Sequence, residues 1–125
     1  MGQTTALTLE PRQEQSIMEI TAAEIGEEQN VVHLEANMGA YGKVYATIIF
    51  KFNAERSGGT YTAQGRGFID ENTMLGGAGV GVWKREGSKV YLEEVVNISD
   101  GTQNLHRGVM DMMEKTLVLD AYILR

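Results

Sequence analysis

Cysteine is absent from this chain, which excludes disulfide staples, a thiol nucleophile and cysteine-held zinc or iron–sulfur centres. A reducing compartment is compatible with that absence. Histidine is almost as scarce, with His33 and His106 alone. His33 and Glu35 share one face if the segment is a strand, but a catalytic metal generally needs three protein ligands. Nothing local brings the two histidines together, so no metal and no other cofactor is expected. Basic side chains are outnumbered 17 to 11, giving a formal net charge of -6. Such a surface repels phosphate backbones and anionic lipid, so neither nucleic acid nor a membrane is an expected partner. No apolar run approaches the ~20 residues that span a bilayer. The stretch from Met1 to Ala6 lacks the basic region and apolar core of a signal peptide. The expected setting is cytoplasmic.

Catalytic motifs are missing too. No serine stands in a Gly-x-Ser-x-Gly elbow. The run from Gly76 to Gly81 falls short of a dinucleotide fingerprint, because Val82 stands where glycine or alanine is needed. Phosphate loops of that kind also require a helix N-terminus, whereas the pattern here continues as a strand. No residue is assigned a catalytic role from sequence.

What remains is an ordinary globular composition: 125 residues, 42% hydrophobic and 22% charged. That is one domain, residues 1–125, large enough to bury a core. Short apolar–polar runs alternate with turn signals along most of it. A possible first strand covers Thr4 to Leu9, ended by the single proline, Pro11. The apolar positions from Ile17 to Ile25 fit a strand or a short helix. Val31 to Asn37 alternates as a strand, and Tyr41 to Asn53 is rich in β-branched and aromatic residues. Ser57-Gly58-Gly59 turns it back through Thr60 to Asp70. Strands over Thr73 to Lys84 and Lys89 to Ile98 follow, the latter ended by the turn Ser99-Asp100-Gly101. Leu105, Val109, Met112 and Met113 have helical spacing. Gly108 and the strand-like Thr116 to Leu124 instead favour a hairpin turning near Met113-Glu114-Lys115.

Turns recurring about every dozen residues predict an all-β antiparallel meander. About eight strands are available, enough to close a barrel with room for side chains or one small ligand. An open sandwich is the alternative. Gly65 and Gly67 share one strand face, and Gly77, Gly79 and Gly81 share one face of the next. Glycine there predicts strong coiling or a close approach, with Trp83 or Tyr61 packing over the gap.

The candidate site consists of charged residues embedded in apolar strands. Regular pleating turns one of Glu93 and Glu94 inward, where a carboxylate needs a cation, water or a ligand. Arg66, between two glycines, and Arg107 are its candidate partners. Tyr45, Tyr61 and Trp83 are candidate pocket walls, as are Tyr41 and Tyr91, although aromatic residues in strands commonly serve the core. A solvent-exposed ion pair is the plainer alternative for the charged group. Seven methionines suit an adaptable pocket, a subunit interface or simple packing.

From Tyr41 onward, three pieces resemble the small barrels related to allene oxide cyclases. They are Tyr41-Gly42-Lys43-Val44-Tyr45, the run from Gly59 to Gly67, and the glycine-rich strand ending at Trp83. The resemblance implies an antiparallel barrel with a largely apolar cavity, found frequently as a homo-oligomer, and it transfers no functional position to this chain. The leading expectation is a barrel that binds a small apolar or amphipathic molecule, its polar end fixed by Arg66 and Glu94 or Glu93. The alternative is a cofactor-independent cyclase or isomerase acting on a hydrophobic oxygenated substrate.

Overall fold

A computed structural model describes residues 6–125. Eight strands follow in chain order: β1 Ser16–Ile25, β2 Gln29–Asn37, β3 Lys43–Phe52, β4 Gly58–Asp70, β5 Thr73–Glu86, β6 Lys89–Ile98, β7 Gln103–Asp111 and β8 Thr116–Ile123. Each pairs antiparallel with the next, and β8 returns to β1, closing the barrel. Closure covers the strand edges along the seam from Ser16 to Glu19, while the outer part of β1 pairs with β2 alone. The ambiguous segment after Ser16 is a strand, and the ambiguous segment after Gln103 is the β7–β8 hairpin. Its turn is held by Asp111 Oδ1, which accepts from the amides of Met113 (2.9 Å) and Glu114 (3.2 Å).

The possible strand at Thr4 to Leu9 is corrected. Thr4 and Thr5 lie outside the described residues, and Ala6 to Leu9 are not in a strand. The reason lies in the closing seam. β8 already pairs with the start of β1, from Ser16↔Leu119 to Glu19↔Thr116. Only Glu10 to Arg12 still reach it, through Ile123 N–H to the Glu10 carbonyl and Arg12 N–H to the Ala121 carbonyl, both 2.8 Å. This short strap extends the seam at one end of the barrel.

Period-two alternation sorts the strands into an inner and an outer face. A register shift between Ile20 and Ala22 ends the buried part of β1, so the β1–β2 tip stands clear with Ile25 exposed. The inner face is filled unevenly. At the end where β3 finishes, Phe50, Phe52, Tyr61 and Trp83 pack ring against ring, with centroids 5.6–5.9 Å apart. Trp83 Nε1–H donates to the Lys51 carbonyl at 2.9 Å, so its polar edge is satisfied within this plug.

Towards the opposite end, Gly65, Gly67, Gly77, Gly79 and Gly81 all take inner positions, and side-chain volume falls away. Three of them are close approaches: Gly67 lies against the Tyr41 carbonyl, and the other two lie against Glu94. A methyl at Gly81 would stand 2.7 Å from Tyr61 Cζ and 2.7 Å from Glu94 Cβ. A methyl at Gly79 would overlap Glu94 Oε2. The glycines therefore make room for Tyr61 and for a buried carboxylate, and Tyr61 does pack over the gap.

Candidate functional site

The thinly filled half of the barrel holds a cavity of about 100 Å³, lined mainly by apolar side chains that include Met18, Leu34, Ile48, Val96 and Leu119. Tyr41 and Ile98 border it at the end opposite the aromatic plug. Of the four charged or titratable residues along it, Tyr41, Arg66, Glu94 and His106, the last two are buried.

Their meeting follows from register. The β6–β7 hairpin pairs Glu94 with His106 and Glu93 with Arg107. Residues directly opposite share a face, so alternation puts the first pair inside and the second outside. Glu94 and His106 are 8% exposed each, and Glu94 Oε1 stands 3.5 Å from His106 Nδ1. Glu94 Oε2 is buried, with no donor from the described residues. A carboxylate oxygen in that position is costly unless something else meets it.

Behind His106 lies a buried polar network that reaches back to the strap. Asn104 is fully buried, and its Oδ1 accepts from Arg12 Nε at 2.8 Å. Guanidinium only donates, so this bond orients the amide. Asn104 Nδ2 then donates to Tyr41 Oη at 2.8 Å and faces His106 Nε2 at 3.5 Å. The ring thus stands between an amide donor at Nε2 and a carboxylate at Nδ1, an arrangement that suits a proton on Nδ1, towards Glu94. Arg12 is held in turn by the carbonyls of Arg125 (2.8 Å) and Gln103 (3.4 Å). The strap thus orients the site through Asn104.

The sequence-predicted residues separate under this geometry. Glu94 is the inward member of its pair. Glu93 points outward and meets Arg107 at 3.6 Å, with both side chains more than half exposed. Screened by water, such a pair contributes ~0–1 kcal/mol. Arg66 borders the cavity through its place on β4, but its side chain is exposed. Its guanidinium donates to the Gly65 carbonyl at 2.8 Å and lies over Gly76. The expected Arg66–Glu94 partnership is corrected: Arg66 sits between two inward glycines, so alternation turns it out. Tyr45 is 49% exposed on the outer face, edge-on to Phe68. Tyr91 is exposed as well. Trp83 belongs to the aromatic plug. Tyr61 adjoins both plug and carboxylate, and burial, followed by the charges of Glu94 and Glu93, raises its phenol well above the ordinary range.

The residues that sequence reasoning did not bring together are His106, Asn104, Tyr41 and Arg12. The two histidines stay apart, because His33 lies on the outer wall, 2.9 Å from Glu24 and 3.0 Å from Thr47. Among the described residues no three histidine or acidic side chains converge on one point. No helix there is long and apolar enough to cross a membrane.

Comparison with protein-family models, curated proteins and solved structures finds no match for this chain. The functional reading therefore rests on the cavity and its polar wall.

Proposed function

We propose that this barrel binds a small, mainly apolar or amphipathic molecule in its cavity, with the polar end of the ligand at Glu94 and His106. One observation carries the reading: an acidic oxygen, Glu94 Oε2, is buried in a mainly apolar cavity with no donor among the described residues. Packing does not require it, since an apolar residue of similar volume would fill the place at lower cost. A ligand group that meets the oxygen accounts for its presence. Proximity to an oriented imidazole gives the ligand a second polar contact. A cytoplasmic setting is part of the proposal, compatible with a cysteine-free chain.

Native mass spectrometry of protein purified from its own host tests the reading. The expected spectrum contains the chain with a retained small molecule, and Ala63→Leu, which places a larger side chain into the cavity, removes it. A molecule kept in full by Ala63→Leu would place its binding elsewhere and refute the proposal.

The Glu94–His106 geometry also favours the second reading, a cofactor-independent cyclase or isomerase acting on a hydrophobic oxygenated substrate. A carboxylate with one oxygen uncommitted, beside an imidazole, is suited to moving a proton on a bound substrate. Turnover of a captured ligand, lost in Glu94→Gln while affinity survives, would distinguish catalysis from binding alone.

A further inference from the structure

We infer that the cavity selects ligands by the sign of their polar end: it takes a hydrogen-bond donor, a hydroxyl or an amine, and rejects a carboxylate. The inference rests on the binding reading above and names the ligand class. Its basis is an account of which polar groups inside the barrel are committed. The guanidinium of Arg12 is spent on Asn104 Oδ1 and on the carbonyls of Arg125 and Gln103. Arg66, the other cation near the cavity, has its side chain outside on the Gly65 carbonyl. The Asn104 amide is taken by Tyr41 and faces His106, whose Nδ1 faces Glu94. Tyr41 Oη accepts from Asn104 and keeps its own O–H to give, but Tyr41 stands at the border of the cavity; the buried polar atom left unmet inside, among the described residues, is an acceptor, Glu94 Oε2.

An acceptor calls for a donor. A ligand carboxylate pushed towards Glu94 would place two like charges together in an apolar cavity, where water screens them poorly. The only imidazole at the site already faces one carboxylate. The field of the whole chain acts the same way, because a net charge of -6 disfavours the approach of anions. Size narrows the class further. Apolar cavities of ~150 Å³ take up benzene; at about 100 Å³ this one is smaller, so a ring-bearing ligand fills it with part of its bulk left in the mouth beside Tyr41.

Three probes of common shape test this: benzylamine, benzyl alcohol and benzoate, titrated into the full chain at neutral pH and followed by ligand-observed NMR or calorimetry. Benzyl alcohol and benzylamine are expected to bind, and benzoate to bind about a hundredfold more weakly or not at all. In Glu94→Gln the gap between benzoate and benzyl alcohol should close to about threefold, as the charge is gone and the shape kept. Ala63→Leu should weaken every probe that the wild type binds, locating them in the cavity. Benzoate binding as tightly as benzyl alcohol would overturn the inference and leave the cavity reading standing. That wild-type comparison decides even if Glu94→Gln does not fold. Failure of all three probes, or indifference to Ala63→Leu, would overturn the cavity reading together with the inference.

Discussion

Replacing Glu94 by methionine should make the protein more stable while destroying ligand capture. The wild-type carboxylate is 8% exposed, one of its oxygens has no donor among the described residues, and the other stands 3.5 Å from His106. Leaving a buried acceptor unmet costs roughly 1–3 kcal/mol. Methionine is unbranched, of similar volume and able to fill an irregular space. Against the gain, His106 Nδ1 is left without its acceptor, roughly 1–3 kcal/mol by the same rule, while the apolar surface that methionine buries in place of the carboxyl contributes about 1 kcal/mol. The balance is a gain of about 1 kcal/mol. For a chain of 125 residues, an unfolding entropy near 2.1 cal/mol/K per residue converts this to a rise in Tm of about 4 °C. Urea and thermal unfolding of the two proteins measure it, and Leu92→Ala on the same strand, expected to lose ~2–5 kcal/mol, shows what a structural inner residue costs. If the Glu94–His106 pair holds the barrel together, breaking it should instead cost ~3–5 kcal/mol. Because the alternatives differ in sign, a loss above 1 kcal/mol would refute the reasoning that Glu94 is kept for a ligand.

Asn104→Leu should cost ~2–4 kcal/mol, since it strands Arg12 Nε and releases Tyr41 Oη. Hydrogen exchange at the Arg12 amide, which pairs with the Ala121 carbonyl, should speed up; unchanged protection would show that the strap holds without the network. Gly81→Ala should destabilise by ~1–3 kcal/mol, because the new methyl would overlap the Glu93 carbonyl oxygen and meet Tyr61 and Glu94 at 2.7 Å. Gly65→Ala is the contrast: its nearest neighbour would be 3.5 Å away, and it should be neutral or gain up to ~1 kcal/mol from the unfolded chain; equal losses at both sites would count against the close-approach argument. Tyr61 is raised in the fold, so its contribution is complete below the free phenol value of 10.0 and declines above it, where the unfolded chain ionises first. Between pH 10 and 11, Tyr61→Phe should therefore lose stability less steeply than the wild type, by up to ~1.4 kcal/mol per pH unit, and parallel curves from urea titrations would contradict this.

The barrel was legible because its signals are local. β-branched and aromatic alternation over β3, and turn residues at Ser57-Gly58-Gly59 and Ser99-Asp100-Gly101, set strand order and direction before any tertiary contact is considered. The strap was not legible, because its pairing depends on how much of the β8 edge is left after β1 has docked. Glu94 was narrowed to one of two adjacent glutamates, and no local rule ranks them: shifting the inner face by one residue would bury Glu93 with Arg107 opposite it. The choice is made by the flanking residues Leu92 and Val96, which share the inward face with Glu94 and are buried with it. Their outward counterparts Tyr91 and Val95 are also apolar, so hydrophobicity along this strand separates its faces poorly. Asn104 and His106 were missed for a related reason. Each is an unremarkable polar residue until the Asp100-Gly101 turn is used to set the register across it.

That register ties the glycines to the polar wall. A barrel of eight strands has an interior that ordinary side chains fill, and the aromatic plug shows this chain filling it at one end. At the other end β4 and β5 carry glycine on the inner face while β6 and β7 carry Glu94, Asn104 and His106. Removing side chains from one stretch of wall opens the space into which the neighbouring strands send their polar groups. Either change alone would be a defect: glycines without the carboxylate leave an unfilled core, and the carboxylate without Gly79 has no room. Close packing penalises both. Their occurrence on facing positions of adjacent strands, with Gly79 against Glu94 Oε2 and Gly81 against Glu94 Cβ, is what makes a site the better explanation than imperfect packing.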